Sequence, residues 1–301
     1  MRFKKLDLNL LVALDHMLEL QSVTAAADKM FMSQSAMSNA LTRLRTYFDD
    51  PLLVQVGRKM ELTPRAESLR PAIRDILVRT EAAIDTTPVF DATNTTRIFN
   101  VLLSDYSLRV LAPAVLQLAD KHGAKVEFDF QAQTTTPYVQ LEQGEIDILI
   151  SPEEFTSKDH PATLVYEDEY VVVAWKHGKY GGGLLDKRAY ELAGHITMVP
   201  PQGAGTVDKR LLSEAGLARR VEVSTFSFST LPHLITGTDR LATVHRRLAK
   251  LMQNQAELTI HPLPEKASPL RQMMQWHTYR ENDPGITWIR NLVLEAGRTL
   301  P

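Results

Sequence analysis

Residues 33–48 concentrate the side chains best suited to reading a polyanionic, base-paired surface. Gln34 and Asn39 carry amides that pair with the edge of adenine. Ser33, Ser35 and Ser38 carry hydroxyls that donate or accept, and Arg43 carries a guanidinium suited to guanine or phosphate. No acidic residue lies between Lys29 and Phe48, so nothing there repels a phosphate backbone. Ala36, Met37, Ala40, Leu41 and Leu44 recur at three- and four-residue steps, which predicts a helix with one buried stripe and one polar face. An amphipathic surface helix of an ordinary globular domain has the same pattern, and the flanking residues decide between the two.

Such a helix needs a scaffold. Leu8, Leu11, Val12, Leu14, Met17, Leu18 and Leu20 form a helical stripe, with Asp7 placed as its N-cap. Residues 22–30 are small enough to let another helix approach closely. Phe31 and Met32 then make a tight turn, and Ser33 is a natural cap for the polar helix. Two helices joined by a three- or four-residue turn form a helix-turn-helix. Residues 52–56 read as a strand, Gly57-Arg58-Lys59 as a hairpin tip and residues 60–62 as the return. This basic hairpin is a wing, with Arg58 at its tip placed to meet phosphates or a minor groove. Beyond Pro64, the residues Ala66, Leu69, Ile73, Ile76, Thr80, Ala83 and Ile84 alternate by threes and fours. That seam suits a dimerisation helix, or else a helix packed on its own domain. Pro71 should kink it or remove one hydrogen bond.

These segments carry a family resemblance. Leu6-Asp7-Leu8-Asn9-Leu10-Leu11, Thr24-Ala25-Ala26-Ala27, Ser33-Gln34-Ser35-Ala36-Met37-Ser38 and Leu41-Thr42-Arg43-Leu44-Arg45 resemble the N-terminal signature of LysR-type transcriptional regulators. Phe48-Asp49-Asp50-Pro51-Leu52-Leu53-Val54 and Leu62-Thr63-Pro64 continue it in order. The opening residues 2–15 are similar to the nodulation-gene regulators of that family. Ser35 departs from the family, where many members have proline, a residue that favours a first helical turn. The resemblance implies an α+β multidomain chain: a winged helix-turn-helix, a long linker helix and a two-lobed α/β effector domain of periplasmic-binding-protein type. It implies a dimer, within a tetramer, reading an inverted repeat in double-stranded promoter DNA and contacting RNA polymerase.

The remaining two hundred residues alternate strands and helices. Strands are expected at 98–103, 125–130, 146–150, 170–175, 196–199, 221–223, 241–244 and 273–276. Helices are expected at 108–119, 138–143, 211–215, 231–235, 248–252 and 286–296. This rhythm implies mostly parallel sheets with helices on their faces. Elements on either side of 166–170 and 262–272 suggest two lobes joined by two crossings, with a ligand between them. The expected boundaries are 1–64 for the DNA-binding domain, 65–92 for the linker helix and 93–301 for the effector domain. Lobe I takes 93–167 and 267–301, and lobe II takes 168–266.

Ligands in open α/β sheets bind outside the carboxyl ends of the strands. Ser104 and Asp105 follow the first strand there, with Asp105 expected to cap a helix rather than hold a carboxylate. Gly203 lies in a Pro-Gly-rich loop that can offer backbone N–H groups. Phe228 and His233 bracket a run of aromatics and hydroxyls suited to an aromatic effector. The stretch from Pro232 to Val244 resembles aromatic-degradation regulators. That resemblance places His233 on an effector-site histidine, Glu169 where a second histidine stands and Gln275 where a phenylalanine stands. An acid at Glu169 disfavours a carboxylate effector. Phenolic ligands therefore stay open, including a flavonoid-responsive, nodulation-type activator.

Composition bounds the rest. A 44% apolar chain of 301 residues supports two or three cores, and a formal net charge of -2 means that any DNA-binding surface is local. With no cysteine, disulfides, thiol catalysis and cysteine-held metals are excluded. No zinc-protease, nucleophile-elbow, phosphate-loop or dinucleotide motif occurs, so neither catalysis nor a metal or other cofactor is expected. The rival class is a small-molecule-binding protein or enzyme on a periplasmic-binding-protein-like fold. No apolar run reaches the roughly 18 residues of a membrane span, and a cytoplasmic location is expected.

Overall fold

The computed structural model describes residues 6–57, 59–84, 89–134, 136–200 and 207–301. The chain divides into two compact units, residues 1–86 with 142–144, and 87–141 with 145–301.

The first unit is built on three capped helices. Asp7 caps α1 (Leu8–Leu20) by accepting from the Leu10 N–H at 2.9 Å. Ser22 caps α2 (Val23–Lys29) through the Ala25 N–H at 3.2 Å. Ser33 caps α3 (Gln34–Phe48) through the Ala36 N–H, also at 3.2 Å. Leu10, Leu14, Met17 and Leu18 of α1 share one core with Ala26 and Ala27 of α2 and with Met37, Leu41 and Leu44 of α3. The two alanines let the helices meet closely, as the small-residue run predicts. The wing is the antiparallel pair β1 (Leu53–Val56) and β2 (Lys59–Leu62). Gly57 turns it at φ +64, a left-handed conformation that costs glycine least.

Helix α4 (Pro64–Ile84) runs through Pro71 as a single helix. Its seam divides in two. Ala66, Leu69 and Ile73 pack in the core of the first unit, and Arg74 donates to the buried Asp15 of α1. Ile76, 42% exposed, and Ile84, 73% exposed, stay in the open. The near end of α4 is therefore a structural part of the first unit, and only its far half offers apolar surface.

The second unit holds two five-stranded sheets among the described residues. The first runs in the order β4 (Glu127–Ala132), β3 (Ile98–Leu103), β5 (Ile148–Pro152), β12 (Leu270–Gln275), β6 (Ala162–Asp168). The second runs β11 (Leu258–Pro262), β7 (Tyr170–Trp175), β10 (Leu241–His245), β8 (Gly194–Met198), β9 (Arg220–Thr225). The chain crosses between them at Glu169 and again between 263 and 269, which makes two lobes. Neither sheet is mostly parallel. β12 runs antiparallel to β5 and β6, and β7 antiparallel to β10 and β11, because a strand arriving by a crossing enters the sheet from the opposite end. β6 and β11 join the strands expected from the sequence.

Helices cover the sheets. α5 (Asp105–Val110), α6 (Ala112–Lys121) and α12 (Pro284–Thr299) close lobe I, with α7 (Pro137–Glu142) between β4 and β5. α8 (Lys187–Leu192), α9 (Val207–Glu214), α10 (Leu231–Ile235) and α11 (Arg246–Met252) belong to lobe II. The single helix expected over 108–119 is two, meeting at Leu111. Pro113 has no N–H to give the carbonyl of Arg109, so the helix stops and restarts. Asp283 caps α12 and takes a bidentate pair from Arg97, 2.8 Å to each oxygen, tying that helix to the start of β3.

His195, fully buried on β8, donates from Nε2 to the Tyr190 carbonyl at 2.7 Å and leaves Nδ1 without a partner among the described residues. Burial pushes its pKa down to about 4, so the folded ring is neutral. The folded value lies below that of an exposed histidine, roughly 6.5. The associated stability is therefore complete above about pH 6.5 and is lost as pH falls toward 4. In urea unfolding at pH 7.5 and pH 4.5, the wild type should lose about 2 kcal/mol more than His195→Gln. Equal losses in the two proteins would refute the buried neutral ring.

Candidate nucleic-acid interface and ligand cleft

Burial of Met37, Ala40, Leu41 and Leu44 turns the opposite face of α3 outward. Ser33, Gln34, Ser35, Ser38, Asn39, Thr42 and Arg43 are all exposed. The side chains of Gln34, Ser38 and Asn39 make no hydrogen bond to other described residues, so their donors and acceptors are open. Ser33 and Ser35 lie with their hydroxyls 3.0 Å apart at the helix start. Thr42 and Thr46 bond back to the carbonyls of Ser38 and Thr42, both at 3.0 Å, which engages their hydroxyls within the helix. Arg43 reaches Asp7 at 3.2 Å, with both side chains more than half exposed. A surface pair of this kind is worth at most about 1 kcal/mol, so a phosphate can displace Asp7. Arg58 lies outside the described residues.

Arg45 differs from its neighbours. It turns back to donate from Nε to the Pro51 carbonyl at 2.7 Å and from Nη2 to the Leu53 carbonyl at 2.8 Å. Reading the helix by polarity alone groups it with the outward side chains. No side-chain pattern reveals it, because its partners are backbone carbonyls.

In the second unit, the loops after β3, β9 and β10 meet. Ser104 caps α5 through the Ser107 N–H at 3.2 Å. Asp105 is not the cap, contrary to expectation. Its Oδ2 accepts from Ser227 Oγ at 2.6 Å, from the Ser229 N–H at 2.9 Å and from Ser229 Oγ at 3.1 Å. A carboxylate on lobe I thus holds a loop of lobe II. Phe228, between those serines, packs on the core of each lobe and faces the His245 ring edge-on at 5.3 Å. The His245 ring lies 4.0 Å from that of Tyr106. Tyr106 donates to Asp168 Oδ2 at 2.6 Å, and Asp168 also accepts from the Arg247 N–H at 3.2 Å and the Glu169 N–H at 2.8 Å. Burial drives the Tyr106 phenol far above its ordinary pKa, and burial pushes Tyr166 up to about 12. Both hydroxyls stay protonated, and that of Tyr106 is the donor to Asp168.

The other expected ligand residues scatter. Glu169, 66% exposed, pairs with Arg246 at 2.8 Å. Together they line an open groove of about 550 Å³ with Glu167, Asp168, Arg247 and Lys250. His233 is exposed on α10. Gln275 is fully buried: its amide accepts from the Ser157 N–H at 2.9 Å and donates to the carbonyls of Ser157 at 2.7 Å and His160 at 3.0 Å. That amide is consumed in holding the 157–160 loop, and a polar residue inside an apolar strand here marks a satisfied core position. Gly203 lies outside the described residues. The structure therefore gathers Ser104, Asp105 and Phe228, and adds Tyr106, Asp168 and His245. Tyr106 and Asp168 adjoin residues singled out in the sequence, Asp105 and Glu169, whereas His245 adjoins none of them.

Residues 8–67 match the bacterial regulatory helix-turn-helix protein, lysR family, and residues 96–298 match the LysR substrate binding domain. Nodulation protein D 3 of Mesorhizobium japonicum is 36% identical over 300 residues, covering 99% of this chain and 100% of its own. A probable transcriptional regulator from Pseudomonas aeruginosa superposes with a TM-score of 0.65 at 26% identity, over 100% of this chain and 99% of its own. Full-length OxyR from the same organism shares the fold, with a TM-score of 0.73 at 14% identity over 98% of this chain and 95% of that one.

Asp105→Ala removes the acceptor that holds the 227–229 loop. The Ser229 amide should then exchange with deuterium about tenfold faster, the equivalent of one hydrogen bond of about 1.4 kcal/mol. An unchanged exchange rate would show that the loop holds itself.

Proposed function

The chain belongs to the LysR family of bacterial transcriptional regulators, and on that premise we propose how its own residues read DNA and sense a ligand. The observation that carries the reading is the open polar face of α3, where the Gln34 and Asn39 amides and the Ser38 hydroxyl make no hydrogen bond to other described residues. Gln34, Ser38 and Asn39 read base edges in the major groove, with Ser33 and Ser35 at the helix start. Arg43 and Arg58 hold phosphates, and the wing fixes register. Two chains pair through the exposed half of α4, around Ile76 and Ile84. Dimers associate further into a tetramer on an interrupted inverted repeat. Ligand binding between the lobes changes the placement of the reading pairs, and with it DNA bending and contact with RNA polymerase. The chain does this work in the cytoplasm and catalyses no reaction.

The ligand is a small aromatic molecule held between the lobes near Ser104, Asp105 and Phe228. Gly203, His233 and Glu169 are outer contacts, and Gln275 supports the lobe from inside. Asp105 faces the 227–229 loop as an acceptor, so it favours a neutral ligand with hydroxyl donors and repels a carboxylate. A nodulation-type activator responding to a flavonoid fits this preference, and the similarity to a nodulation protein D supports it.

In binding assays on a duplex selected by the protein itself, Arg43→Ala should weaken binding to all sequences and reduce the log–log salt slope by about one. An unchanged slope would remove the phosphate role. Gln34→Ala or Asn39→Ala should instead relax the preference at one base pair, by about 1–3 kcal/mol. A thermal-shift screen of phenols, flavonoids and aromatic acids should stabilise the wild type with the neutral hydroxylated compounds. Stabilisation by the carboxylic acids alone would reverse the assignment of the cleft.

A further inference from the structure

The recognition helix, the wing and the linker helix meet at one short segment, Asp49-Asp50-Pro51-Leu52, whose backbone is unusual. Asp49 ends α3 in the left-handed region at φ 52, and Leu52 adopts the same region at φ 61 with its side chain fully buried. A left-handed leucine is uncommon and persists only where its surroundings hold it. Here the Leu52 N–H donates to Asp50 Oδ1 at 2.7 Å, and its carbonyl accepts from the Thr63 N–H at 3.0 Å.

The same Asp50 oxygen accepts a second donor, Thr63 Oγ1, at 2.7 Å. Thr63 is only 8% exposed, and its hydroxyl oxygen accepts in turn from the Ala66 N–H at 3.1 Å, which caps α4. One hydroxyl therefore donates toward the base of the wing and accepts from the first turn of the linker helix. From the other side, Arg45 of α3 clamps the carbonyls of Pro51 and Leu53. These donors keep the Asp50 carboxyl below its usual pKa, the Thr63 hydroxyl most of all. A helix cap alone needs only an acceptor for a backbone N–H. This one also spends its proton on a carboxylate at the end of another helix.

We propose that Thr63, with Asp50 and Arg45, is a positioning joint that sets the distance between the two DNA-reading helices of a dimer. The inference rests on reading α3 as the DNA-contacting helix and α4 as the pairing helix. Geometry makes the joint sensitive. A helix of 21 residues is about 31 Å long. A 10° error where it leaves the wing therefore displaces its far end by about 5 Å. One base pair is about 3.4 Å and about a tenth of a turn. Spacing between half-sites is thus specified by hydrogen bonds that touch no base.

The test uses the full-length protein and a duplex selected by it from a randomised library. Variants of that duplex carry one or two base pairs added or removed at the centre, and a further duplex carries a single half-site. Wild type should lose about tenfold or more in affinity at the altered spacings. Thr63→Val should bind the single half-site within about twofold of wild type, while its spacing profile flattens to within about threefold. Thr63→Ser, which restores the hydroxyl, should restore the profile. An unaltered Thr63→Val profile overturns the joint, and so does an equal loss on the half-site and at every spacing. If Thr63→Val does not fold, Arg45→Met decides, since it removes the second brace and leaves the α4 cap in place. A wild-type profile in Arg45→Met then rejects the joint. Failure to select any duplex rejects the DNA-reading premise and the joint together, whereas a selected duplex with an unchanged profile rejects the joint alone.

Discussion

A fifteen-residue helix cannot bury both of its faces in a small domain, and α3 resolves this with Met37, Leu41 and Leu44. Once those side chains lock into the core of α1 and α2, rotation about the helix axis is fixed. Gln34, Ser38 and Asn39 must then face outward whether or not anything is there to meet them. For the proposed reading of bases, burial thus preorganises the face, because amides held apart from the rest of the fold give up no internal hydrogen bond on binding. Arg43 is the partial exception, and its exposed partner Asp7 is a weak competitor.

The lobes of the second unit follow a different rule. Their contact is polar as well as apolar, with Asp105 gathering three donors from the opposite lobe and Tyr106 reaching Asp168 at the crossing. Between those points Phe228 belongs to both cores. A cleft closed in this way is specific, since each donor and acceptor must find its partner again. In the proposed site, a ligand that brings hydroxyl donors offers Asp105 what the serines offer.

Much of this was legible in the residues. The caps Asp7 and Ser33 and the turn between α2 and α3 follow from spacing and composition, and the two-lobed plan follows from the family resemblance. Strands β6 and β11 lie at sheet edges and go beyond the sequence reading, although the opposite edges β4 and β9 are legible in it. Asp105 departs from its expected capping role and the Gln275 amide is already bonded, for a common reason. A polar side chain near a strand end looks available, and only three-dimensional contacts show that its atoms are already used. Arg45 and Thr63 illustrate the reverse, since ordinary residues of an amphipathic helix and a helix start acquire their roles through backbone partners distant in sequence.

The two crossings of the chain also bear on how the protein is made. Lobe II is one uninterrupted stretch from β7 to β11, but lobe I waits for β12, which lies between β5 and β6 in its sheet. Until residues 270–275 leave the ribosome, those two strands have no common neighbour, and α12 is not yet there to cover them. Synthesis therefore delivers the helices and wing of the DNA-reading unit first, residues 142–144 of that unit later, a closed lobe II next and a complete lobe I last. Truncation within the final thirty-two residues removes the middle of a sheet or its cover rather than trimming an end.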